Sequence, residues 1–137
     1  ILYRLVGSEM CIRDRTMSAR VSIALVDAAG QLMTFRRLDG SSVASVETSI
    51  AKARTASLTG VDSAKAEEAI ASGRIALLSL QGVLHQPCAL MAGGLVLMCH
   101  GEVVGAIGVS GMTPDQDVAV AQAGLEAFAI RVLGCSS

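Results

Sequence analysis

The chain has 137 residues, enough for one domain with a real core, and 52% of them are apolar although only Tyr3, Phe35 and Phe128 are aromatic. A formal net charge of −1 supplies neither the basic stripe that nucleic acid requires nor a polybasic segment for a membrane surface. So apolar a small chain, packed by Ala, Gly, Val and Leu, is expected to bury part of its surface in a homo-oligomer.

The chain starts at Ile1, and Leu5 to Arg15 reads LVGSEMCIRDR, which resembles the translation of a sequencing adapter end. Residues 1–15 are therefore expected to be a non-native leader, with a single domain over 16–137. Three of the 11 basic and two of the 12 acidic residues fall in that leader, so the domain itself carries −2. Cys11 lies in the leader; Cys88, Cys99 and Cys135 remain, at a spacing that gives no disulfide framework and no CxxC metal site. They read as reduced thiols of a cytoplasmic protein. The apolar stretch from Ile75 to Cys99 is broken by Gln81, His85, Gln86 and Pro87, and is not a membrane span.

Val21 to Val26 alternates large and small apolar residues and predicts a strand buried on both faces. Asp27-Ala-Ala-Gly30 is turn chemistry, and Gln31 to Arg37 is the returning strand of a hairpin that ends at Asp39-Gly40. Ser41 or Ser42 caps a helix from Val43 to Leu58, with Val46, Ile50, Ala53 and Ser57 on its apolar stripe and Gly60 as its stop. Asp62 or Ser63 opens a shorter helix to Ser72, with Ala66 and Ile70 inward, closed by Gly73. Arg74 to Ala92 carries an apolar segment, Ile75 to Leu84, and then a loop at His85-Gln-Pro-Cys88. Leu95 to Cys99 is a strand, His100-Gly101 a tight turn, and Glu102 to Ser110 the partner strand.

The last helix has the clearest start. Thr113 is the N-cap, Pro114 the first helical residue, and Gln116 completes a Thr-x-x-Gln capping box. Asp115 and Asp117 suit the positive end of the helix dipole. Val118, Ala121, Leu125, Phe128 and Val132 are its expected buried stripe, and Gly134 its end. The order hairpin, helices, hairpin, helix predicts an α+β fold: an antiparallel sheet with helices packed on it.

Within Glu102 to Gly111, alternation sets Val103, Gly105, Ile107 and Val109 on one face and Val104, Ala106, Gly108 and Ser110 on the other. Glycine inside a strand marks a close approach, either by packed protein or by a ligand or subunit. The segment is not a phosphate loop, since no Gly-Lys-Ser/Thr follows, and no G-x-G-x-x-G opens the next helix.

Gly105 to Gly111 with Thr113 to Asp117, together with Val21 to Gly30 and its hairpin into Asp39-Gly40, Ile50-Ala-Lys-Ala-Arg-Thr-Ala56 and Gly93-Gly94-Leu95, resembles the GlcG/HbpS-like family. That family includes haem-binding proteins and the C-terminal domain of PduO-type proteins, and the resemblance spans Val21 to Phe128. Val96 stands where many members have Pro, and His100 where many have Asp. The resemblance implies a profilin-like α/β fold, homo-oligomeric assembly, and haem or a related tetrapyrrole as ligand in some members. It also implies a helix before the first strand, which the leader would replace.

The candidate ligand-binding residues are His85, Gly93, Gly94, Gly108, Ser110, Gly111, Lys52 and Arg54. His85, in a loop beside Pro87 and Cys88, suits a pocket rim, and a histidine can ligate haem iron. His100 sits at a hairpin turn, where a solvated residue is the ordinary case. Met91 and Met98 read as core filling before axial ligands. Lys52 and Arg54 could pair with haem propionates or a substrate carboxylate, or line a solvated helix face. His85 and Cys88 lack the third group that an activated nucleophile needs, so no catalytic set is assigned and no metal ligand is chosen. Two functions are in view. One is a haem or small-ligand binding module linked to haem turnover. The other is a haem-independent small-carboxylate binder or accessory protein of glycolate or diol metabolism.

Overall fold

The computed structural model describes residues 19–128, so the expected leader, and with it Val132, Gly134 and Cys135, lie outside the described residues. Strands β1 (Ser22–Asp27) and β2 (Leu32–Arg37) form the first hairpin. Helices α1 (Val43–Thr59) and α2 (Ala64–Ala71) follow, then a 3-10 turn (Ile75–Ser79) running into the short α3 (Leu80–Leu84). Strands β3 (Gly94–Cys99) and β4 (Glu102–Ser110) form the second hairpin, and α4 (Pro114–Phe128) closes the order. The sheet is antiparallel throughout, in the order β2-β1-β4-β3. The expected α+β architecture is present.

Local chemistry accounts for the corners. Asp27 Oδ1 accepts the N–H groups of Ala29 and Gln31, both at 2.9 Å, and Gly30 takes the positive φ that completes the turn. His100 and Gly101 both have positive φ, as a two-residue hairpin turn demands. Ser42 caps α1 by accepting from Ser45 N–H at 3.2 Å. The capping box of α4 is reciprocal: Gln116 N–H donates to Thr113 Oγ1 at 3.3 Å and Thr113 N–H to Gln116 Oε1 at 3.2 Å.

The central strands are buried on both faces through most of their length, as the alternation of large and small residues in Val21 to Val26 predicts. On one face Val21, Ile23, Leu25, Leu95, Ile107 and Val109 pack against Val120 and Ala121 of α4. On the other, Ala24, Val26 and Ala106 pack against Ala53 and Ala56 of α1. The described part of the expected α4 stripe, Val118, Ala121, Leu125 and Phe128, does pack on the core, but the deepest positions lie to one side of it. Asp117, Val120, Ala121 and Gly124 lie deepest, while Val118, Leu125 and Phe128 are only partly buried beside them.

The seating of α1 also differs. Its buried face carries Ser45, Ser49, Lys52, Ala53 and Ala56, and the larger Val46 and Ile50 are only half-buried. Gly108 is the reason. A Cβ there would collide with the carbonyl oxygen of Ser49 and the amide nitrogen of Ala53, so helix backbone rests directly on the strand. Only small residues fit so close an approach, and the Ser22 and Ser45 hydroxyls meet within it at 2.8 Å.

A buried ion pair joins the two helix layers. Lys52 Nζ leaves α1 past the start of β3, donating to Val109 O at 3.0 Å and to Asp117 Oδ2 of α4 at 3.1 Å. The two side chains are 4% and 3% exposed. Gly93 leaves room for this path: a Cβ on it would stand 2.8 Å from Lys52 Nζ and 2.5 Å from Val109 O. Asp117 Oδ1 accepts from Met112 N–H at 3.0 Å, so each charge has a backbone partner as well.

Two consequences are measurable by denaturant unfolding. Lys52→Met strands a buried carboxylate and is expected to cost about 3–5 kcal/mol. Gly108→Ala must push α1 off the sheet and is expected to cost about 1–3 kcal/mol; an unchanged midpoint for either variant would contradict the packing described.

Candidate functional site

One face of α1 rests on the sheet; another looks into a cleft of about 610 Å³. Glu47, Thr48, Ala51 and Arg54 line it from α1, at a spacing that keeps them on one side of the helix. Ile70 of α2, Leu78 of the 3-10 turn and Gln81 of α3 supply the opposite wall, and the loop from Pro87 to Met91 closes the end. The lining is mainly apolar, with a charge at either end of the α1 face.

That loop is held by polar ties. Ala89 N–H donates to Thr55 Oγ1 at 3.0 Å, Ser63 Oγ donates to Met91 O at 2.6 Å, and Ala92 N–H donates to Glu67 Oε2 at 2.8 Å. Ser63 Oγ also accepts from Gly94 N–H at 2.9 Å, and Asp62 Oδ1 accepts from Val96 N–H on the sheet edge at 2.9 Å. The start of α2 therefore fixes both the loop and β3. Arg54 is fixed as well, its Nε donating to Gly30 O in the first hairpin turn at 3.1 Å.

The eight sequence candidates do not converge on this cleft. Arg54 lines it. His85, exposed and left-handed at φ 55°, ends α3 and borders a separate shallow pocket of about 290 Å³, which shares Gln81 and Pro87 with the cleft. Lys52 lies in the buried ion pair beside Gly93. A Cβ on Gly94 would strike the Lys52 carbonyl, one on Gly108 would strike α1, and one on Gly111 (φ 136°) would strike the Arg20 carbonyl. These glycines face protein backbone. Ser110 is buried at the end of β4, opposite Ser22.

Of the other residues weighed, Met91 lines the cleft, whereas Met98 and His100 lie outside it at the second hairpin. Sequence reasoning missed Glu47, Ala51, Ile70 and Leu78 as lining residues. The i, i+4, i+7 spacing of Glu47, Ala51 and Arg54 was the available signal for the α1 side. Nothing local marked the opposite wall. No group of three or more potential metal ligands occurs among the described residues. No helix there is long and apolar enough to cross a membrane.

Cys88 is a free thiol, as expected, whereas Cys99 is disulfide-bonded, which corrects its reading as a reduced thiol. Burial pushes the Cys88 pKa up, and a hydrogen bond with Thr55 offsets part of that rise. The thiol form is therefore the stable one at neutral pH, and a thiolate appears only as pH climbs past its raised value. Alkylation of Cys88 by iodoacetamide, followed by peptide mass spectrometry, should be slow at neutral pH and accelerate at a higher pH than for a free cysteine peptide; matching pH profiles would contradict this environment.

The haem degrading protein HbpS-like family model matches residues 4–126. An uncharacterised 15.0 kDa protein of the dhaT-dhaS intergenic region of Citrobacter freundii is 33% identical over 108 residues, 79% of this chain and 75% of its own. Among solved structures, protein ORFY of Klebsiella pneumoniae superposes with a TM-score of 0.82 at 28% identity, covering 92% of this chain and 86% of that one. The PduOC:haem complex superposes with a TM-score of 0.81 at 24% identity, covering 90% and 89%. With the fold, the strand glycines and the capped last helix all in agreement, the chain belongs to the GlcG/HbpS-like family.

Proposed function

We propose that this protein binds haem or a related tetrapyrrole in the cleft between α1 and the segment from Ile70 to Met91. The observation that carries this reading is the cleft itself. Its volume of about 610 Å³ is within the range of small-molecule sites, and its lining is apolar with few polar groups. An arginine at one end suits the carboxylates of an otherwise greasy macrocycle. The haem-degrading family to which the chain belongs, and the haem bound by the PduOC relative, support the same ligand class.

Cys88 and Met91 line this cleft, and His85 stands just outside it. Each is a known type of axial haem ligand, and bound haem would supply iron redox chemistry at that wall. The raised Cys88 pKa disfavours thiolate ligation at neutral pH, which leaves Met91 on the cleft wall and His85 beside its rim as the residues that would hold iron. Turnover of haem and homo-oligomeric assembly extend the same reading.

Haem titrated into the purified protein should shift the Soret band, and His85→Ala should weaken that response. Thermal stability should rise with haem concentration, as mass action requires of a ligand that prefers the native state. No spectral change at several-fold excess would overturn the proposal. Stabilisation by glycolate-like acids alone would favour a haem-independent small-carboxylate binder instead.

A further inference from the structure

The cleft is electrically lopsided. Glu47 and Arg54 are seven residues apart on α1, so they share a side of the helix and stand about 10 Å apart along its axis. Ala51 lies between them, and Ile70, Leu78 and Met91 face them. Arg54 uses Nε to hold Gly30 O, and its terminal amino groups have no acceptor among the described residues. A guanidinium anchored in this way is preset to take a carboxylate through two parallel N–H bonds. Glu47, at the far end, is exposed and not ion-paired among the described residues. A ligand carboxylate brought to that end meets a like charge at the open mouth of the cleft, a repulsion that solvent and salt reduce but that still opposes its seating.

Resting on the tetrapyrrole reading above, we infer that the cleft selects macrocycles whose carboxylates are gathered on one edge. That edge seats at Arg54, and Glu47 rejects macrocycles that carry acids all round. Arg54 sets the orientation by attraction. Glu47 determines specificity by repulsion, and discrimination needs both elements.

The test uses the full chain and three iron porphyrins, with affinity read from the Soret band. They are haem, its dimethyl ester, and an iron porphyrin bearing carboxylates on all four edges. Esterification should weaken binding to the unaltered protein about tenfold or more, the scale of a lost charge-assisted hydrogen bond. The same esterification should make little difference to Arg54→Ala. The all-round acid should bind the unaltered protein worst, and Glu47→Gln should raise its affinity several-fold, by a clearly larger factor than any change in haem affinity.

Equal binding of haem and its ester by the unaltered protein overturns the inference. So does Glu47→Gln that leaves the all-round acid as poor as before, or that loses haem, since Glu47 would then be a ligand-holding group. Because the ester comparison needs no substitution, misfolding of Arg54→Ala cannot rescue the idea. Haem bound without these preferences sinks this inference and leaves the tetrapyrrole reading standing. Silence from all three porphyrins removes both.

Discussion

The buried pair of Lys52 and Asp117 is the constraint around which the rest of the molecule is arranged. It passes the end of the sheet and fastens the helix on one face to the helix on the other. Burying two charges is expensive, and the expense is met only when each charge also finds backbone partners. Val109 O serves the ammonium and Met112 N–H serves the carboxylate. Several features follow from this one link. A lysine sits on the buried side of α1, glycines stand at positions 93 and 94, and an acid occupies the first turn of α4. Each is odd taken alone; the lysine, Gly93 and the acid follow from the path of one side chain, and Gly94 makes room for the Lys52 carbonyl.

The close seating of α1 has a second result. With Ser49 and Ala53 pressed onto Gly108, the helix has a fixed rotation, and that rotation turns Glu47, Ala51 and Arg54 toward the cleft. The packing of the core thus decides which side chains reach a ligand. Ser57 Oγ donates to Asp27 O at 2.7 Å and Arg54 Nε binds Gly30 O, so the first hairpin turn holds the same end of the helix. The wall formed by α1 is consequently the rigid one.

Much of the fold was legible because its signals are local. The Asp27 to Gly30 turn, the Thr113 box and the alternation of β4 each specify their geometry within a few residues. The stripe on α1 misled because hydrophobicity points to Val46 and Ile50, whereas tight packing selects by size and prefers Ser and Ala. The site was far less legible. Residues in the family-like blocks were natural candidates, but Lys52, Gly93, Gly94, Gly108 and Gly111 serve chain packing where they sit. Of those blocks, only Ala51 and Arg54 line the cleft. The opposite wall comes from Ile70, Leu78 and the loop at Cys88, a stretch with no clear period, and only tertiary contact brings it to α1.

That opposite wall is also built differently. None of the residues of α2, the 3-10 turn or α3 is buried, and Ile75, Leu78 and Val83 are each about two-thirds exposed. Segments with so little buried contact open at a fraction of the free energy that unfolds the core. The cleft is therefore hinged by composition: a firm jaw anchored to the sheet faces a compliant one tethered by a handful of hydrogen bonds. A bulky guest of the kind proposed would enter by lifting the compliant jaw while the sheet and its ion pair stay whole. Whatever ordering that jaw undergoes on closure is drawn from the guest's own binding energy.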